Sequence, residues 1–219
     1  MSPSLNSGKG RCQASMRLVI KPIMAVIELG AAQDVVNTAL QAAHHVNRHG
    51  SKDDYIAVAL PTLRRRREGM SAGHEIEFYG SENSLTKFLG LDGPEMLVRR
   101  GMLVAPELDE VYMDVGTEGT AYIRDRSNEK NTIGWKRRAK ARAERRGRPW
   151  VDRDSSPSYN ASILALHYGS KVVHVKPQTG IVSAEPLMVS TYGYSSSFVD
   201  GAAVLPVAAE HSAELAHAV

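Results

Sequence analysis

The chain contains one cysteine, Cys12, in 219 residues. A lone thiol excludes an internal disulfide framework and any cysteine-based zinc site. It also fits a reducing compartment, so a cytoplasmic protein is expected. Long apolar runs are missing too. The best candidate, Leu18 to Ala32, is interrupted by Lys21 and Glu28, which leaves it too short and too charged to span a membrane. The same Lys21, with no clear cleavage site after it, argues against a signal peptide. There is no internal repeat, Walker loop, dinucleotide fingerprint or convincingly spaced carboxylate pair. No cofactor is expected.

The bulk composition, 42% hydrophobic and 23% charged with a net charge of +3, is that of an ordinary globular chain able to bury a core. The charge is unevenly spread. Residues 124–148 hold eleven Lys or Arg against Asp125, Glu129 and Glu144, a net of +8, which leaves −5 for the remainder. The densest part, Trp135 to Arg148, reads WKRRAKARAERRGR. Gly134 and Gly147 bracket it and Pro149 blocks continuation, so a helix of about three turns is expected. Its only apolar strip is Trp135, Ala139 and Ala143, whereas a packed helix shows a wide stripe. Arg138 and Arg142, four apart, repel. A polyanion would relieve that repulsion and release counterions.

An ordinary solvated face interleaves acids with its bases, and here acids are nearly absent. Nucleic acid is therefore the leading partner. An anionic membrane fits less well, because an interfacial helix needs an apolar face. Charge does not choose between the DNA major groove and an RNA stem. A second run, Arg64 to Arg67, is either an auxiliary contact or a solvated loop.

Hydrophobic periodicity predicts strands at Met16–Val26, Tyr55–Leu63, His74–Tyr79, Met102–Ala105 and Glu110–Met113. It predicts helices over Gln33–His49 and Ser81–Leu89, the first on the stripe Val35, Val36, Ala39, Leu40, Ala43 and Val46. This order fits a ferredoxin-like α+β domain over residues 16–116, ending at Gly116-Thr-Glu-Gly-Thr120. A smaller C-terminal α/β domain over 117–207 would hold a strand at Tyr122–Arg126 and the arginine-rich helix. A hairpin of Ile163–Tyr168 and Lys171–Lys176 across Gly169-Ser170 and a last strand at Ala203–Val207 would follow. Residues 1–15 and 208–219 are expected to be flexible tails.

Candidate chemistry is sparse. His44, His45 and His49 cluster at the end of the first long helix. Both His44 and His45 lie off its apolar stripe, so periodicity does not separate them. A neutral imidazole there suits proton transfer near pH 7, and equally suits a plain surface position. His45 and His49 stand at i and i+4, but a zinc site needs a further ligand in place, and no metal site is expected. Tyr192 lies in a Gly/Ser-rich loop near the end of the chain.

Four stretches, by order and spacing, resemble the CRISPR repeat-processing endoribonucleases of type I-F systems, over about residues 16–207. Ile56-Ala-Val-Ala-Leu-Pro61 is similar to that family's Ile-Gly-Val-Ser-Phe-Pro strand, with Ala57 in place of the glycine. His45 stands eleven residues before it, where the family keeps its catalytic histidine. Ser127-Asn128 and the basic helix resemble the family's arginine-rich segment. Tyr192-Gly193, a Ser-rich turn, Phe198 and the strand through Pro206 resemble its ending.

The resemblance implies a metal-independent enzyme that cuts precursor CRISPR RNA at the base of a repeat hairpin. The ribose 2′-hydroxyl attacks the adjacent phosphate, leaving a 2′,3′-cyclic phosphate and a 5′-hydroxyl. His45 would move the proton as acid or base, and Tyr192 would position that imidazole. Ser170, the nearest hydroxyl of the required kind, would hold the 2′-hydroxyl. Arg124 and Arg126 would read guanine edges, and Arg137, Arg138, Arg142, Arg145 and Arg146, with Lys136 and Lys140, would hold stem phosphates. The product would stay bound, alongside other subunits of a type I-F surveillance complex. The alternatives are a non-catalytic RNA-binding subunit of a ribonucleoprotein, with the same helix and an incidental His45, and a DNA-binding regulator.

Overall fold

The computed structural model describes residues 5–6, 8–66, 69–126, 133–150, 163–169, 171–184, 186–195 and 202–206. The first half runs through β1 (Lys9–Cys12), β2 (Met16–Ile20), α1 (Met24–Glu28), α2 (Ala32–His49), β3 (Ala57–Ala59), β4 (Arg64–Arg66) and β5 (Gly69–Ser71). It continues with β6 (Ile76–Gly80), α3 (Glu82–Leu89), α4 (Asp92–Arg99) and β7 (Leu108–Glu110). The second half comprises β8 (Glu118–Asp125), α5 (Ile133–Arg145), β9 (Leu164–Tyr168), β10 (Lys171–Ile181), β11 (Leu187–Ser190) and β12 (Val204–Pro206).

The architecture is mixed α+β. One four-stranded sheet has the order β3-β6-β2-β7 and a second the order β12-β8-β10-β9, both antiparallel throughout. β1 pairs with β11 and β4 with β5. The apolar stripe of α2 is buried as its spacing requires. It belongs to a core cluster that includes Leu18, Ile20 and Phe78 of the first sheet and Leu164, Leu166, Val173 and Val175 of the second. A boundary near residue 116 thus falls between two sheets that share one core.

Several elements differ from expectation for identifiable reasons. The strand expected over Met16–Val26 stops at Ile20, because Pro22 cannot donate to a ladder, and a short helix follows. Met102–Ala105 contributes only an isolated bridge, Leu103 to Pro22, and the next strand is Leu108–Glu110 rather than Glu110–Met113. The segment 1–15, expected as a tail, contains β1. Its Cys12 and Ala14 are buried, and the Asn6 side-chain amide donates to the carbonyls of Asn47 and Gly50 at the end of α2. Burial pushes the Cys12 thiol up to about 12, so it stays protonated.

One buried polar side chain joins α2 to β3. Asn47 is fully buried; its amide donates to the Ile56 carbonyl at 2.9 Å and its oxygen accepts from the Ile56 N–H at 2.6 Å. Asn47→Ala strands both backbone groups in the core. The expected loss is roughly 2–4 kcal/mol of stability, which lowers Tm by about 5–15 °C for a chain of this size. Thermal unfolding followed by circular dichroism checks this, and a shift under about 2 °C would contradict it.

Candidate functional site

α2 presents two polar flanks beside its buried stripe. Residues 41, 44 and 48 lie on one, and residues 38, 42, 45 and 49 on the other, because positions three or four apart share a face. The helix packs against β9 and against α4. The second flank faces the start of α4: Thr38, Ala42 and His45, with Gln41 from the edge of the first flank, line a shallow groove with Leu91, Asp92, Gly93 and Pro94. His45 is exposed and its ring stacks on His49, centroids 4.2 Å apart. Burial and the charge of His49 hold its pKa below the ordinary imidazole value.

The first flank carries the denser arrangement. His44 is half-buried, and its Nδ1 lies 2.8 Å from the Thr191 carbonyl. Its ring is stacked on Tyr192, with centroids 4.1 Å apart and planes within 6° of parallel. Tyr168 meets the His44 ring edge-on at 6.0 Å and the Tyr192 ring edge-on at 5.0 Å. The Arg124 guanidinium lies 4.7 Å from the Tyr192 centroid. It lies over that ring as a cation–π contact. The imidazole facing Tyr192 is therefore that of His44. Tyr192, expected to position His45, has its ring on His44; one residue along a helix is a turn of about 100°, which points His45 toward α4.

The local sequence explains how these groups meet. The chain reverses over Ser190–Tyr194, with the Gly193 N–H donating to the Ser190 carbonyl and the Ser190 N–H to the Tyr194 carbonyl, both at 2.8 Å. Gly193 adopts φ +80, a conformation glycine takes without strain. The turn aims the Thr191 carbonyl at α2. The hydroxyl of buried Tyr168 lies 3.2 Å from the Tyr192 carbonyl and 3.0 Å from the Tyr194 hydroxyl. A carbonyl only accepts, so the Tyr168 proton serves it and Tyr194 donates to the Tyr168 oxygen. Burial pushes the pKa values of both phenols up, and both stay neutral. Arg124 reaches Tyr192 from β8, where it sits opposite Val175 in the register of the second sheet.

The electrostatics favour a neutral imidazole. Burial lowers the His44 pKa first, the bond to Thr191 opposes this, and the positive charges of Lys171, Arg48 and Arg124 lower it further. Because the Thr191 oxygen can only accept, Nδ1 keeps its proton and the Nε2 lone pair remains for a base. The same three cations would attract an anion placed beside the neutral imidazole.

The remaining expected site residues fall as follows. Arg126 is exposed, just beyond the end of β8. Ser170, Ser127, Asn128 and Phe198 lie outside the described residues. The neighbouring Gly169 sits on α2 one turn from His44: a Cβ there would lie 3.5 Å from Gln41 Oε1. In α5, Arg137, Arg138, Lys140, Arg142 and Arg145 are exposed, Lys136 is half-buried, and Ala139 is the one buried side chain. Arg146 follows in the turn that Gly147 closes at φ +60. The thin apolar strip is partly covered by Trp150, whose ring lies 6.3 Å from that of Trp135. Among the described residues no cluster of three or more His, Cys, Asp or Glu is placed to hold a metal ion, and no helix is long and apolar enough to cross a membrane.

Residues that sequence reasoning passed over include His44 as the stacked ring, Tyr168 as its edge-on neighbour, and Lys171 and Arg48 as nearby cations. The alignment of 41, 44 and 48 on one flank was readable, but which flank faces the Tyr192 turn was not. No protein-family model matches the chain, and no curated protein matches it.

Proposed function

We propose that the protein is an endoribonuclease that binds an RNA hairpin and cuts it without a metal ion, by attack of a ribose 2′-hydroxyl. The observation that carries this reading is His44, held by Thr191 and Tyr192, with no partner for its Nε2 among the described residues and with Arg48, Lys171 and Arg124 around it. Neutral Nε2 takes the proton from the 2′-hydroxyl. The 2′ oxygen bonds to phosphorus while the bond from phosphorus to the 5′ oxygen breaks. The proton gathered on Nε2 is then available to the leaving 5′ oxygen, giving a 2′,3′-cyclic phosphate and a 5′-hydroxyl. Arg124 and Lys171 offset the charge that builds on the phosphoryl oxygens.

The arginines of α5 hold the stem phosphates, since its exposed charge has so little core beneath it. Arg126, exposed just beyond β8, would contact the base of the stem. The CRISPR repeat hairpin is the substrate that the resemblance suggests, with other subunits of a surveillance complex as partners in the cytoplasm. The order of elements in the first half, with sheet order β3-β6-β2-β7, supports a ferredoxin-like reading of that half.

The test is cleavage of a repeat hairpin in EDTA. Cutting is expected, and a 2′-deoxy sugar at the scissile position should stop it while sparing binding. No cutting, or cutting that survives the 2′-deoxy change, would contradict the proposal. Because His44 is half-buried and its Nδ1 already paired, the arrangement also serves as simple packing in a non-catalytic RNA-binding subunit. Full binding without cutting would favour that reading.

The pH dependence follows from the sign of the shift. A base must be neutral, and burial and nearby cations hold His44 below the ordinary 6.5. The acid limb of log kcat/KM is therefore expected below pH 6.5, with activity flat above it until a second group titrates. A rate that rises as pH falls through that window would instead make His44 the acid.

A further inference from the structure

Arg64 and Arg65 of the second basic run have no part in the site above. We infer that the β4–β5 hairpin is a second RNA contact that holds the single strand flanking the stem, an inference that rests on the endoribonuclease reading. Leu63 and Met70 seat the hairpin on the core. The Thr62 hydroxyl clamps its base, donating to the Ala72 carbonyl at 3.1 Å and accepting from the Glu75 N–H at 3.3 Å. The cross-strand partners of Arg64 and Arg65 are Ser71 and Met70, so no carboxylate stands opposite either. Both arginines are exposed, and among the described residues neither is within ion-pair distance of an acid. The core therefore fixes the strand that carries both arginines, with no acid paired to either among the described residues.

Their position suggests the ligand. β5 packs against β9, and β9 ends at Tyr168, whose ring meets His44 edge-on. A strand leaving the scissile phosphate would have cationic ground to cross one strand away from the imidazole. The deep, narrow major groove of an RNA stem does not admit a two-stranded arm, and the exposed guanidinium groups suit contact with the phosphates of an extended single strand.

The experiment measures affinity of the protein for two RNAs, the repeat stem-loop alone and the same stem-loop followed by about ten uridines, with a 2′-deoxy sugar at the scissile position of the flanked RNA so that the parent cannot cut it. The parent is expected to bind the flanked RNA more tightly. Arg64→Ala/Arg65→Ala should weaken flanked binding by about tenfold at 0.1 M salt and flatten its salt slope by about 1.4, or 0.7 per phosphate contact. Binding of the bare stem-loop and the thermal midpoint should stay unchanged, since both side chains are exposed. Equal loss on both RNAs, or no loss on either, overturns the inference and leaves the endoribonuclease reading standing. A parent that binds neither RNA overturns both.

Discussion

His44→Ala is expected to slow single-turnover cleavage of the repeat hairpin by about 10²- to 10⁴-fold, with RNA affinity changed little. His45→Ala should cut within about threefold of the parent, because loss of a surface imidazole removes no proton-transfer group. The contrast rests on what each ring touches. His44 has a fixed tautomer, a stacking partner and three nearby cations. His45 touches another exposed histidine and a groove at the start of α4. His44→Gln keeps a polar side chain but no titratable group, so it should fall with the alanine variant. A parent-like rate in His44→Ala, or the larger loss in His45→Ala, would move the chemistry to the other flank of α2.

Gly193→Ala is expected to damage fold and site together. At φ +80 an L side chain is strained, by about 1–2 kcal/mol. The added methyl would also overlap Val58 Cγ2 and press the Ile56 carbonyl at 3.0 Å and the Val58 N–H at 3.2 Å. Neither backbone group can move freely: the Val58 N–H donates to the Gly193 carbonyl and the Ile56 carbonyl accepts from Asn47. Overpacking of this kind adds about 1–3 kcal/mol. The sum, about 3 kcal/mol, corresponds to a Tm lower by about 6–12 °C. The turn also supplies the Thr191 carbonyl to His44, so cleavage at 25 °C, where the variant remains folded, should fall by about a hundredfold. Calorimetry and single-turnover rates on the same sample check both; a variant with parent Tm and parent rate would mean the turn does not set the site.

Local rules carried the elements whose signals are local. The α2 stripe gave a helix correct to within a residue of Ala32–His49. Gly169-Ser170 between apolar alternations gave the β9–β10 hairpin, with Tyr168 opposite Lys171. Gly147 and Pro149 marked the end of α5, whereas Gly134, expected to precede the helix, lies within its first turn. What failed was non-local. β1 looked like tail because Lys9–Cys12 has no pattern of its own and becomes a strand only by pairing with β11. Asp92–Arg99 forms α4 despite Gly93 and Pro94, since Pro is tolerated in a first turn.

Which of His44 and His45 faces the Tyr192 turn was illegible for the same kind of reason. The spacing to Ile56 counts residues through the loop after His49 and tolerates an error of one. On a helix that one residue changes the face. The partner that decides between them, Thr191, lies 147 residues from His44 in the chain.

The most direct measurement is a structure of the protein bound to its repeat hairpin with a 2′-deoxy sugar at the scissile position. The account predicts the scissile phosphate against His44, Arg124 and Lys171, with Nε2 within about 3.2 Å of where the 2′ oxygen would stand. RNA whose scissile phosphate lies in the groove beside His45, or far from both histidines, would contradict it.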